Sequence, residues 1–405
     1  MVTAGSGVRG YAHVIKEDRV RPDLLFLGTE FGLWISPNGG KQWSRYKGHE
    51  FPSVAVRDIV VHPRESDLVI ATHGRGIWIV DDITPMRKLT PEIMPQEAVF
   101  LEAKPAQQRL PASGGWAEGS AVFTGPNPPD AALITYYQSK RHIFGKMKLE
   151  IFDSQGKLVD TLPPNSRRGI SRVEWPMRLK APHVPPAATA AFEAAQGPRV
   201  MPGTYTVKMT RGKETYTTQL VLELDPRAKF SIEDRKLEFE AAMRLHRLLG
   251  EMSFDVDRIN GVHDALVERG AKLKGDAAFS KRLQELAGKV EAMRKKIVAT
   301  TEGGAITGEE RIREKTTALY GAILNYEGRP GDYQIARIDS LKKELDDVAV
   351  EFDAFVSKEL PVVNKSLSQK KLEPVQPIDR KAWDAAEKDS GASAPGAATF
   401  FHKLD

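Results

Sequence analysis

The chain has 405 residues, a formal net charge of +5 and no cysteine. This length exceeds one ordinary domain and predicts two or three. The lack of cysteine excludes disulfides, thiolate metal sites and cysteine nucleophiles. The small positive charge comes without a basic patch interleaved with aromatic residues, so no nucleic-acid partner is indicated.

No apolar run reaches the length of a membrane-spanning helix, so we expect no membrane span. Residues 1–20 carry several charged side chains and lack the apolar segment of a signal peptide. The interpretation that Met1 is an internal or misplaced start therefore stays open.

The first part of the chain contains a repeat with the pattern of β-strands. Asp23–Ile35 returns as Asp67–Ile79, at an offset of 44 residues without a gap. This period suits one four-stranded blade of a β-propeller. We therefore predict that residues 1–110 are all-β terminal propeller blades. Two repeats do not complete a ring, so the propeller is expected to be incomplete.

The eight residues after the first copy read Ser-Pro-Asn-Gly-Gly-Lys-Gln-Trp and resemble the Asp box of sialidase-type repeats. Ser36, Asn38, Gly40, Gln42 and Trp43 stand where that motif has Ser, Asp, Gly, Thr and Trp. An Asn side chain can accept backbone N–H bonds in a turn, Gly permits positive φ, and Trp packs into the sheet. We interpret Ser36, Asn38, Gly40 and Trp43 as structural residues of the turn.

Two further groups of residues are candidates for a functional site. His73 and Arg75 project from a glycine-rich turn and could bind a carboxylate or phosphate, although an ordinary hairpin turn is the favoured interpretation. Asp58, Asp81 and Asp82 are the candidates for the two carboxylates of glycoside hydrolysis. Adjacent acids on a strand point to opposite faces, and no metal, phosphate or cofactor motif is present. We therefore predict no catalytic residue, no metal and no cofactor.

The middle of the chain also has a β pattern. Apolar and charged residues alternate over Lys146–Ile151, and Gly203–Leu224 has the pattern of a hairpin. These features predict an Ig-like β-sandwich over residues 120–226, after a break rich in Gly, Ala and Ser at Pro111–Gly119. Ala181–Gln196 is rich in Ala and Pro, and we expect a mobile insertion there.

The last part of the chain has a helical period. Ser231 is a good N-cap, and four apolar seams with steps of three and four follow it. The seams lie at Leu245–Leu266, Phe279–Ile297, Ile312–Ile323 and Ile338–Phe355. They predict an antiparallel α-helical bundle over residues 230–372. The polar segment 373–405 is expected to be a flexible tail.

Leu27–Leu33, Val56–Ile59 and Ala71–Trp78, together with the Asp-box turn, resemble the last repeats of a family of large bacterial proteins. These proteins carry sialidase-type (BNR or Asp-box) repeats, are often labelled glycosyl hydrolases, and are related to sortilin-type and xyloglucanase-type propellers. The family's order of propeller, Ig-like domain and helical region is the order predicted here. The resemblance implies a secreted or periplasmic protein. The arginine triad, tyrosine and acids of true sialidases have no matching constellation in this sequence.

Three functions stay open at this point. The first is a non-catalytic binding or assembly portion of an extracytoplasmic propeller protein, with upstream repeats or another chain completing the propeller. The second is a glycoside hydrolase acting on a polysaccharide, with its active site mostly in missing N-terminal repeats and one of the three acids contributing. The third is a sortilin-like receptor for a peptide or protein, which binds at the propeller edge.

Overall fold

The computed structural model describes residues 7–48, 51–102, 104–110, 129–273, 275–303 and 308–389. The chain divides into two compact units. A sheet-rich unit contains Met1–Met177 and Pro202–Arg227, and a helical unit contains Arg178–Met201 and Ala228–Asp405. The combination of β-sheets with a separate helical region is the coarse architecture that the sequence predicts.

The sheet-rich unit begins with two antiparallel sheets that follow chain order. The four-stranded sheet contains β1 (Ala12–Glu17), β2 (Leu25–Thr29), β3 (Gly32–Ser36) and β4 (Ser44–Arg45). The three-stranded sheet contains β5 (Val56–Val61), β6 (Leu68–Thr72) and β7 (Ile77–Val80). The repeated segments form equivalent hairpins, β2–β3 and β6–β7. One apolar core joins the two sheets, with Phe26 and Leu33 from the first and Ile59 and Ile70 from the second.

Two more sheets follow the short helix α1 (Thr84–Arg87). Their strands are β8 (Ala98–Leu101), β9 (Ala106–Gln108), β10 (Ala132–Gln138), β11 (Met147–Phe152), β12 (Leu158–Leu162), β13 (Gly169–Trp175), β14 (Gly203–Arg211) and β15 (Glu214–Leu224). One sheet has the order β13-β10-β8, and the other has the order β12-β11-β14-β15-β9. Trp175 of the first contacts Tyr205 of the second, with ring centroids 5.3 Å apart, so buried faces of the two sheets meet.

The boundary expected at residue 110 needs a correction. Strand β8 pairs with β10, and β9 pairs in parallel with β15, so both strands belong to the later sheets. The first β region therefore ends before Ala98. A short apolar run predicts a strand, but its backbone groups can pair with any available edge, and only the tertiary structure selects that edge. The break predicted at 111–119 lies outside the described residues.

Five α-helices make up most of the described part of the helical unit. They are α2 (Ile232–Lys272), α3 (Ala277–Ile297), α4 (Ile312–Leu324), α5 (Asp332–Gln369) and α6 (Arg380–Asp389). Ser231 caps α2 in a capping box with Asp234, in which each side chain bonds the backbone N–H of the other residue. The apolar seams of α2 to α5 meet in one buried core that includes Leu245, Leu286 and Leu341.

Two segments differ from their expected character. The Ala- and Pro-rich segment Ala181–Gln196 packs within the helical unit, where it forms a 3-10 turn at Phe192–Ala194. In the segment expected to be a flexible tail, the described residues include helix α6. Trp383 of this helix is buried, and its Nε1 donates to Asp257 at 2.8 Å. Scattered apolar residues in a polar segment give no periodic signal, so the sequence did not indicate this packing.

Candidate functional site

The Asp-box-like turn uses its polar side chains internally. Ser36 Oγ accepts from the backbone N of Gly40 at 2.9 Å, and Asn38 Oδ1 accepts from the backbone N of Gln42 at 2.9 Å. Gly39 and Gly40 have φ values of 68° and 85°, which glycine adopts without strain. These bonds hold the turn and leave its side chains little capacity to bind a ligand.

The His73 and Arg75 side chains are exposed in the turn between β6 and β7. The Arg75 backbone carbonyl accepts from Trp78 Nε1 at 3.0 Å, which fixes the turn. Neither side chain makes a hydrogen bond or ion pair to another described residue. The structure therefore places the two residues together in one exposed turn.

The acidic candidates have local structural partners. Asp58 Oδ1 accepts from the backbone N of Ile59 at 2.8 Å, and Asp82 Oδ1 accepts from Thr84 N at 3.0 Å. The backbone carbonyls of Asp81 and Asp82 both accept from the guanidinium of Arg172. Asp82 has a left-handed φ of 46°, so it serves the sharp exit from β7.

The strand register separates these acids. Asp58 stands opposite Ala71, whereas the Asp81–Asp82 pair follows the β7 residue opposite Leu68. Three residues along β6 span about 10 Å, and β5 and β7 lie about 10 Å apart on either side of it. Asp81 lies one residue beyond Val80, so its backbone is roughly 16 Å from that of Asp58. Even with both side chains turned toward each other, this exceeds the roughly 5–10 Å that separates the catalytic carboxyl groups of glycosidases. The structure does not arrange these acids as such a pair.

A cleft of about 880 Å³ lies in the sheet-rich unit, among β4, α1 and β13. Apolar side chains form much of its wall, among them Leu24, Ile35, Met86, Leu89 and Met94. Its volume lies in the range of small-molecule sites, which are concave and mostly apolar.

Among the residues that the structure describes, the charged side chains that line this cleft are all cations. They are Arg45, Lys47, Arg168 and Arg172, and none of the described lining residues is Asp or Glu. These four residues lie in or beside β4 and β13, which are far apart in the sequence, so no local motif could have revealed them. The sequence contained no signal for this cleft.

The surroundings of two residues that line the cleft fix the guanidinium of Arg172 and the protonation state of Tyr46. Arg172 donates to the carbonyls of Asp81 and Asp82, the first at 2.8 Å, which fixes its guanidinium. Burial raises the pKa of the Tyr46 phenol, while the positive charge of Arg172 acts in the opposite direction. Tyr46 therefore stays a neutral hydroxyl, able to donate a hydrogen bond at physiological pH.

The outer face of the β5-β6-β7 sheet is a second unusual surface. Val60, Val69 and Ile79 stand directly opposite one another across the three strands, and Ile77 lies beside them. Val60 is 47% exposed, Ile77 72% and Ile79 57%. In the described part of the chain, no strand pairs with the free edge of β7. We call these four residues the outer apolar face.

The described residues contain no group of three or more His, Asp or Glu side chains that could hold a metal ion. Nor is any helix within those residues both long and apolar enough to cross a membrane.

Comparisons of the chain with protein-family models, with curated proteins and with solved structures gave no match.

Proposed function

We propose that this chain is a non-catalytic binding and assembly portion of an extracytoplasmic β-propeller protein. In this proposal the four-stranded sheet and the β5-β6-β7 sheet are propeller blades, and the two later sheets form an Ig-like sandwich. The outer apolar face would pack against another sheet of the same repeat type, in upstream blades or in another chain.

The observation that carries this proposal is the outer apolar face. Three strongly exposed β-branched side chains in one cross-strand patch are costly in water, since burying each would contribute roughly 1–2 kcal/mol. Propeller blades pack face to face, and the opposite face of the same sheet already packs in this way against the four-stranded sheet. A further sheet on the outer face would repeat that arrangement.

Assembly is favoured over glycoside hydrolysis because the acidic candidates do not approach each other. Asp58 and the Asp81–Asp82 pair lie at different ends of the sheet, and Asp58 and Asp82 accept hydrogen bonds from neighbouring backbone groups. Extracytoplasmic location rests on the resemblance of the repeats alone.

The proposed role of the outer apolar face in assembly can be tested by replacing its two most exposed side chains. In the double variant Ile77→Ser, Ile79→Ser we expect weaker self-association and several-fold less binding of a hydrophobic dye than in the wild type. Sedimentation velocity over a range of protein concentrations and dye fluorescence would measure both. Circular dichroism would show that the fold is retained.

The matched control is Ile143→Ser, Phe144→Ser. These loop residues are 69% and 85% exposed but lie outside the face, so the control should behave as the wild type. A wild-type protein that stays monomeric at every concentration, with dye binding equal to that of the face variant, would contradict the proposal.

A further inference from the structure

We propose that the cationic cleft of the sheet-rich unit binds a small organic anion with an apolar body, such as an aromatic carboxylate. This inference concerns a site apart from the outer apolar face, and it goes beyond the proposed assembly function.

The cleft suits the apolar part of such a ligand. Its volume of about 880 Å³ accommodates a molecule of drug-like size, and its wall includes Met86, Leu89 and Met94. Methionine side chains are flexible and polarisable, so they adapt to an aromatic ring. Burial of the ring against them would supply hydrophobic binding energy.

The charged side chains of the cleft suit a ligand that accepts hydrogen bonds. Arginine and lysine side chains donate hydrogen bonds but cannot accept them, and the four charged residues in the described lining of the cleft belong to these two types. A neutral sugar presents many hydroxyl donors, for which Asp and Glu are the strongest acceptors. The described lining offers no carboxylate, so a ligand with an anionic acceptor is favoured over a neutral saccharide.

Two of the cations are available for a ligand. Lys47 and Arg168 line the cleft, are exposed, and have no ion-pair partner among the described residues. By contrast, Arg172 and Arg45 are held by backbone carbonyls, at 2.8 Å from Asp81 O and 2.8 Å from Phe31 O respectively. The fixed pair maintains positive charge in the cleft, and the available pair can turn toward the anion.

Fluorescence titration with dansylglycine tests the proposal, with dansylglycinamide as the matched ligand. The two probes share the aromatic body and differ in a carboxylate against a neutral amide. We expect the full chain to bind dansylglycine about tenfold more tightly, with an advantage that shrinks as salt is added. Equal affinity for the two probes would overturn the proposal.

Adjacent arginines provide matched variants. Arg168 lines the cleft and Arg167 does not, although both are exposed. Arg168→Gln should weaken dansylglycine binding about five- to tenfold, while Arg167→Gln should change it by less than about twofold. If both variants lost the same affinity for dansylglycine, general charge attraction would explain the binding, and the assignment of the site to the cleft would be overturned.

Competition identifies the anionic group. Benzoate and phenyl phosphate share a ring and differ in their charged group, so the stronger competitor identifies which anionic group the cleft prefers. Failure of both to displace dansylglycine would overturn the assignment of an organic-anion site.

Discussion

Among single residues, Glu238 is a buried carboxyl whose pKa departs from its ordinary value. It is 4% exposed on α2, and its Oε1 lies 3.5 Å from Nη1 of Arg235. Arg235 also donates to the backbone carbonyl of Arg199 at 2.8 Å. Burial raises the pKa of Glu238 to about 7, with Arg235 opposing the rise and Glu327 adding to it. The carboxyl is therefore neutral in acid and becomes a buried anion near neutral pH.

This shift predicts a pH dependence of the helical unit. Below the ordinary carboxyl pKa, both folded and unfolded chains hold the proton, and the unit has its full stability. As pH rises toward 7, Glu238 loses its proton in the unfolded chain before it does so in the folded chain. The free energy of unfolding therefore falls, by roughly 3 kcal/mol in all. Glu238→Gln should remove that loss and stabilise the unit at pH 8 while changing little at pH 4. Urea unfolding followed by circular dichroism would measure it.

Glu240→Gln is the matched control, because Glu240 lies on the same helix with an exposed side chain. Glu240→Gln should change the free energy of unfolding by no more than about 0.5 kcal/mol at pH 4 and at pH 8. The same pH dependence in the wild type and in Glu238→Gln would contradict the role given to Glu238.

At the scale of elements, the helices were predictable and the strand partners were not. Each apolar seam repeats at steps of three and four, and one continuous helix buries each seam, as α5 does for Ile338–Phe355. The Ala98–Leu101 run predicts a strand equally well. Its partner β10 begins at Ala132, and no local property of either segment specifies the pairing.

Helix α5 contains Pro361 in its interior, which predicts a stabilising substitution. Proline removes one helical hydrogen bond, and its ring clashes with the carbonyl one turn earlier. The Pro361 side chain is exposed, so Pro361→Ala should lose no core contact and raise the unfolding free energy by about 1–3 kcal/mol. Thermal and urea unfolding at 222 nm would measure this gain.

The neighbouring exposed residue gives the control, with Val362→Ala expected to change stability by less than about 0.5 kcal/mol. A less stable Pro361→Ala protein would refute the prediction, because Pro361 would then be needed to place Val363 and Leu367 in the core.

For the whole molecule, the segment Arg178–Met201 connects two strands of the sheet-rich unit and belongs to the helical unit. Ala188 N donates to Ala299 O at 3.1 Å, and Tyr320 Oη donates to Gln196 O at 2.9 Å. The helical unit is therefore built from two separated stretches of chain.

Replacing 181–196 with a Gly/Ser linker of equal length should lower the stability of the helical unit by about 3 kcal/mol. The linker would remove the buried Ala194 and the partly buried Val184, Ala187 and Ala191 that pack on the helical core. Without these side chains the more flexible linker backbone would form the two hydrogen bonds only part of the time, while equal length keeps loop closure unchanged. Circular dichroism at 222 nm would follow the helices. Tryptophan fluorescence in a Trp383→Phe background would follow the sheets, because Trp34, Trp78 and Trp175 lie in their strands. An unchanged helical transition would contradict the assignment of this segment.

Local and periodic features could be predicted from the amino-acid order: the repeated hairpins, the turn at Ser36–Trp43, the cap at Ser231 and the helical seams. These depend on neighbours within a few residues, where spacing dictates geometry. The cleft cations, the separation of the acids and the place of Ala181–Gln196 depend on contacts between distant segments. Such contacts are selected by packing and by pairing of backbone groups across the whole unit, so only the folded chain reveals them.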